Sequence, residues 1–557
     1  MLMVQRFDTG DRPLRPGPSG NRDPLAGEVE RRTLPPVGNQ ALGSIGLGYE
    51  DNLWNGLSAK ELEQLLFKLS LPSRSPVLQK LLVRAMLSDV ALPEGAGERP
   101  GHFLALRLET LRRAGRLQDI IQLTEGDGQR NRQPTAQTYH AYAQLGLGNR
   151  QQACREANAI PVGTPSLPRQ TLGLSLLLVA YCAAAEGHIE AAQLNLSLAR
   201  DQGLNVSLAE SALEKMARAG KPQIGQSEKI QLPDYLFLRL AKWQPSRPIL
   251  KHAGPNSLVA MSHDDGIEET LRLDALEQAA RANAADHVSL ANAYKRQHFD
   301  PTRFNQPLDN RFKGARRRAF LYQALTAENE PHRRIRLIKS FLETARHDRL
   351  YLILAKMIAK PIAALPLSER LLGFAAIMIE ANAAAGNYRR ASEWAVLTSA
   401  TGSVQNDALL HWLSLFEIAQ YRGRARADGD LQLATRNALA GRFGADILHR
   451  LVTVLDALQY NIPIPLWDAA SRTAQPSQGY LPETGALSRL KLVANRGNVG
   501  KTLLLAMAAL GPDGPDGAHM IALGDTIRAL KIVGHEAEAR QIGFEALFAI
   551  WPRQASQ

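Results

Sequence analysis

Residues 172–199 read LGLSLLLVAYCAAAEGHIEAAQLNLSLA, and this stretch decides the fold. A run of Leu and Ala long enough for several helical turns ends at Gly187, and a second run begins at once. Glycine enters the left-handed conformation that ends a helix at no steric cost, so Gly187 marks a reversal. Ala192, five residues on, is where the second helix first crosses the first; a larger side chain there would push the pair apart. The same phrase recurs at Gly148 with Ala153, Gly386 with Ala391 and Gly534 with Ala539, and Gly115 with Ile120 is a weaker copy. Repeated helix–turn–helix units predict an all-α chain, an α-solenoid of stacked antiparallel hairpins, which makes a surface rather than a reaction centre.

Working outward, residues 1–45 are rich in Pro, Gly, Arg and Asp and lack apolar periodicity, so they are expected to be a disordered tail. Order is expected near Leu53 and Trp54. Ser58 and Glu61 have the spacing of a capping box, and Leu62, Leu65, Leu66 and Leu69 then share a helical face. Ser75-Pro76 opens a second helix with Leu78, Leu81, Leu82, Ala85 and Met86 inward. Pro- and Gly-rich breaks suggest an N-terminal repeat domain over 46–220, a helical connector with loops over 221–310, central repeats over 311–470 and C-terminal repeats over 471–557. No strand series is legible.

Slot by slot, the chain resembles the tetratricopeptide repeat. That family spaces a turn glycine, a small residue five on, a bulky one four later and an Ala three further. Gly187, Ala192, Leu196 and Ala199 fill all four slots. Gly534, Ala539 and Ala546 fill three, with Gly543 in place of the bulky residue, and Gly386, Ala391 and Ala395 match loosely. The family's Trp and Tyr positions are not kept. Residues 46–203, through Leu53-Trp54-Asn55-Gly56 and Leu106-Arg107-Leu108, also resemble a group of bacterial, mainly alphaproteobacterial, helical-repeat proteins. Members of that group often look exported and bring no known activity.

The chain carries a formal charge of +12 over 557 residues, concentrated within 301–360. Arg311, Lys313, Arg316, Arg317 and Arg318 precede Phe320 and Tyr322. Arg333, Arg334, Arg336 and Lys339 then lie on the outer side of a helix whose inner face is Ile335, Ile338 and Leu342. These nine cations are the candidate anion-binding residues, for nucleic acid, acidic lipid or an acidic protein. The two cysteines, Cys154 and Cys182, exclude a disulfide scaffold and a four-Cys zinc site, and are expected to be buried small hydrophobes.

Other motifs carry less. Gly497-Asn-Val-Gly500-Lys501-Thr502 ends like a phosphate-binding loop, but the earlier glycine is Asn495 and no strand precedes it, so a helix–helix turn is expected. His263-Asp264-Asp265 and His347-Asp348 are similar to the His-Asp pairs of metal-dependent phosphohydrolases. A metal would need partners such as His252, His287 or His298, and nothing in their spacing selects them. The sequence thus points to a non-catalytic interaction scaffold with a protein or peptide partner and no cofactor or metal. Anion binding through 311–339 is the alternative, and a metal-dependent hydrolase near 250–350 comes last. The literal N-terminus has no apolar stretch of the kind a signal peptide needs, and the longest apolar run, near Leu172–Ala185, is too short for a membrane span, so the chain as written reads as cytoplasmic, with a periplasm or cell envelope if the true start lies upstream with an export signal.

Overall fold

A computed structural model of the chain describes residue 49 and residues 52–553, apart from 99–100, 126–132, 162–166, 219, 221, 223, 226–227, 310, 347, 401–408 and 422–423. The segment 1–45, expected to be disordered, lies outside the described residues. Among the described residues the chain forms twenty-seven α-helices and no strand; three isolated bridges, such as Ser58 with Glu94, pin loops together. No helix among them is long and apolar enough to cross a membrane.

The glycine phrase folds as its chemistry dictates. Helices Arg169–Ala185 and Ile189–Asp201 flank Gly187, which has φ +89°. The His188 amide closes the turn by donating to the Ala183 carbonyl at 2.9 Å, which satisfies an otherwise orphaned acceptor at the helix end. Gly115, Gly148, Gly386 and Gly534 repeat this conformation and this bond. Ala153, Ala192, Ala391, Ala539 and Ile120 are all fully buried at the crossing. Four further reversals use the same bond without glycine, at Lys242, Asn283, Arg349 and Gln459, whose φ values lie between 54° and 65°.

Ser58 caps helix Ala59–Lys68 through its hydroxyl, accepting from the Glu61 amide at 3.2 Å. Glu61 does not complete the box: its carboxylate turns to Lys501 Nζ at 2.8 Å and to Arg489. Ser75 caps helix Pro76–Leu87, and all five predicted core positions of that helix are buried.

The cysteines correct the sequence expectation. Cys154 and Cys182 are joined in a disulfide, with Cα atoms 5.5 Å apart. Helix Arg150–Ala159 packs on helix Arg169–Ala185 with these two residues facing. Helical periodicity placed them on neighbouring helices; it did not fix the rotation that turns them together. Cross-linking a separation of 28 residues contributes about 3–4 kcal/mol in the chain-entropy account.

A single buried cluster runs from Leu53 to Trp551 and includes Ile230, Tyr235, Leu276 and Tyr294 of the expected connector 221–310. Neighbouring helices pack in chain order, and the two ends then meet. Helix Ala59–Lys68 packs on helix Val499–Leu510, and helix Pro76–Leu87 packs on that helix and on Glu536–Phe548. The Gly500 amide donates to the Leu53 carbonyl at 2.9 Å. A Cβ at Gly500 would sit 2.4 Å from that oxygen, so the contact needs glycine. Beside it, Glu545 accepts from the Ser75 hydroxyl and from the Val77 amide at 3.1 Å. Burial pushes the Glu545 carboxyl up to about 7, against the pull of those bonds and of Lys356.

Two outcomes follow. Gly187→Val should destabilise by about 1–3 kcal/mol, because its Cβ meets open space and the cost is conformational. Gln459→Gly should stabilise by about 0.5–1 kcal/mol by relieving the same conformation; thermal melting checks both. For Glu545, the folded carboxyl keeps its proton up to about pH 7 while the unfolded one releases it near 4.5. The folded state therefore binds the extra proton between these values, and stability falls as pH rises from about 4.5 through 7. Melting temperatures of Glu545→Gln should lack this component of the pH dependence.

Candidate binding site

The predicted basic segment divides on folding. Arg318 points inward and is 4% exposed. Its Nε donates to Glu277 at 2.8 Å, its second nitrogen to the same carboxylate and its third to Asp348 at 2.7 Å. Burial works to lower the Arg318 pKa, but the bonds and charge of Glu277 outweigh it and hold the guanidinium above its ordinary value. Arg318 is therefore a core ion pair and leaves the anion-binding set, because the third arginine of 316–318 falls on the buried helix face. Arg316 lies over the Phe312 ring at 5.0 Å, within a cluster of Phe299, Phe304, Phe312 and Phe320. Arg334 donates to the Glu328 carbonyl at 2.6 Å, and Lys339 approaches Glu343 at 3.9 Å. Arg317 is half-buried. Arg311, Lys313, Arg333 and Arg336 remain exposed, spread over a loop and one helix.

Neither of the other motifs gathers chemistry. Gly497 turns with φ +73° between helices Ala486–Asn495 and Val499–Leu510, as the helix-turn expectation has it. Lys501 is taken by Glu61, and Thr502 is fully buried. Asp264 accepts from Arg239 Nε at 2.6 Å and from the Tyr235 hydroxyl at 2.5 Å. Burial works to raise Asp264, yet these bonds outweigh it and keep the carboxyl below its ordinary value. Among the described residues no group of three or more His, Cys, Asp or Glu side chains is gathered to hold a metal, and His252, His287 and His298 join no such group. His347 lies outside the described residues.

A large cavity lies elsewhere. It has a volume of 1210 Å³, and its walls come from segments near 72–74, 250–258, 278–282, 346–352, 513–516 and 548–553. The two ends of the chain, where they meet, supply part of its walls. Six cations line it, Arg74, Lys251, Arg281, Arg346, Arg349 and Arg553, against two carboxylates, Asp513 and Asp516. Arg281 and Arg346 end their helices, and cations are favoured at such ends by the exposed carbonyls and the dipole. Asn283, in its left-handed turn, donates to the Ser73 carbonyl at 2.9 Å and so draws the Arg281 wall against the first helices.

Three of the cations are spoken for. Arg74 pairs with Asp513. Arg346 and Arg553 share the buried Glu380 at 2.7 and 2.8 Å, stacking over Tyr351 and Phe548. Lys251, Arg281 and Arg349 have no ion-pair partner among the described residues, and Arg349 feels Asp516 only through the longer-range field. Burial raises the Asp516 carboxyl, against the pull of Arg349 and Arg450. A second, polar cleft of 940 Å³ lies beside the disulfide-bonded helices, with Arg150, Arg155, Arg239 and Asp264 on its walls.

No family model matches the chain, and no curated protein or solved structure matches it.

Removing Arg318 would strand the buried Glu277, so Arg318→Ala should cost about 3–5 kcal/mol, while Arg333→Ala and Arg336→Ala should stay within about 0.5 kcal/mol of the parent. Chemical denaturation of the three variants distinguishes a core arginine from surface ones.

Proposed function

We propose that the chain is a non-catalytic interaction scaffold, an α-solenoid of tetratricopeptide-like hairpins whose interior receives a protein partner. The observation that carries this is the cavity, assembled from six separated segments and lined by side chains that bind charge. Support also comes from the fate of three acids, two of them buried and one half-buried. Glu277, Glu380 and Asp264 are each engaged by arginine, which suits structural work better than proton transfer. The recurring reversal at Gly115, Gly148, Gly187, Gly386 and Gly534 supports the repeat kinship, because the same turn and the same buried residue five positions on recur. Disulfides persist in oxidising compartments, so the Cys154–Cys182 bond favours a periplasm or cell envelope over the cytoplasm.

Affinity capture with the oxidised full-length protein tests this. The expected result is a partner retained in near-stoichiometric amount from an envelope fraction. Retention of no protein by a preparation that melts cooperatively would count against the scaffold, and free thiols in protein isolated under alkylating conditions would count against the compartment.

A further inference from the structure

The interior cavity holds more positive charge than its own carboxylates neutralise, and the surplus is arranged. Lys251, Arg281 and Arg349 come from three separate segments. Arg281 is half-buried, and its Nε is shielded from solvent without a hydrogen-bond acceptor. An unpaired guanidinium donor costs free energy; the shielded Nε is closed to a ligand, and an incoming oxyanion would meet the rest of the Arg281 guanidinium through a charge-assisted bond. Lys251 and Arg349 are exposed, so the charge is reachable from solvent.

We propose that this cavity binds an acidic peptide segment of a partner protein, its carboxylates meeting Arg281, Arg349 and Lys251. The proposal rests on the scaffold reading and names the chemistry of what the scaffold holds. Asp513 and Asp516 stand on the same wall, so a ligand with a charge at every unit, such as a nucleic acid, is forced against them. A peptide spaces its carboxylates and interposes apolar side chains, which suits the half-buried Leu352 between the cations. Tyr351, Phe548 and Trp551 are 8%, 4% and 1% exposed, so they offer no free ring face on which a base could stack.

The test uses the oxidised full-length chain and a fluorescein-labelled peptide of alternating Glu and Leu, read by anisotropy. The matching Gln/Leu peptide and a labelled oligothymidine are the other probes. The expected result is binding of the Glu/Leu peptide that weakens with salt, no binding of the Gln/Leu peptide, and a loss of about tenfold or more in Arg281→Gln/Arg349→Gln. Neither side chain holds the fold together, and an unchanged melting curve confirms it; Lys251→Gln, at an exposed site, gives the same reading if the double variant melts early. Absence of Glu/Leu binding, equal binding by the variants, or tighter binding of the oligothymidine would overturn the proposal. A captured partner retained equally by parent and double variant would also overturn it while leaving the scaffold intact. Peptide binding without any captured partner would strike the scaffold reading alone.

Discussion

The amide of Gly500 reaches the carbonyl of Leu53 across the face of Trp54, and the shape of the molecule's interior depends on that contact. A chain of helical hairpins packed only on their neighbours would leave its first and last apolar faces in water. Here the two faces cover each other: Leu53, Trp54, Leu62 and Leu66 are buried at one end, and Leu503, Leu504 and Leu510 at the other. The close approach admits no Cβ, which is why a segment that looks like a phosphate-binding loop keeps its glycine. Polar groups then fix the register. Lys501 and Arg489 hold Glu61 on one side, while Ser75 and Val77 hold Glu545 on another.

The cavity is a consequence of that contact rather than a separate design. Its walls include residues 72–74 at one end of the chain and 513–553 at the other. The middle of the chain is tied in through Asn283, whose amide reaches Ser73, and Arg116, which donates to the Asn283 carbonyl. Helix ends converge on the space, and helix C-termini carry unsatisfied carbonyls that favour cations nearby. Arg346 meets that preference and shares Glu380 with Arg553, a carboxylate that is buried and would be costly without them.

Much of the fold was legible because a helix reversal leaves a local mark. Gly187 and Ala192 report one turn and one crossing, and both are decided by steric limits within a few residues. The reversals at Lys242, Arg349 and Gln459 left no such mark, since those side chains are held in a conformation they do not prefer, and Asn283, which tolerates it, is a residue that many loops share. Little of the candidate site was legible. A run of arginines reads as one patch, yet periodicity turned Arg318 into the core, and the cations that line the cavity lie hundreds of residues apart. Cys154 and Cys182 failed for a related reason: a helical pattern gives the neighbour but not the rotation about its axis.

Closure and occupancy of the cavity are thermodynamically linked. Any ligand that touches walls from both ends of the chain binds the closed form better than an open one, and so stabilises the closure by the same free energy that closure lends to binding. The Glu545 latch adds a proton to this cycle. Its carboxyl is held neutral up to about pH 7 by burial, and above that a charge must be carried between Ser75 and Val77 with Lys356 as the nearest compensation. Loss of the proton works against closure, and therefore against an anion in the cavity, although Glu545 does not line it. A fall in affinity as pH rises through 7 would therefore report the latch.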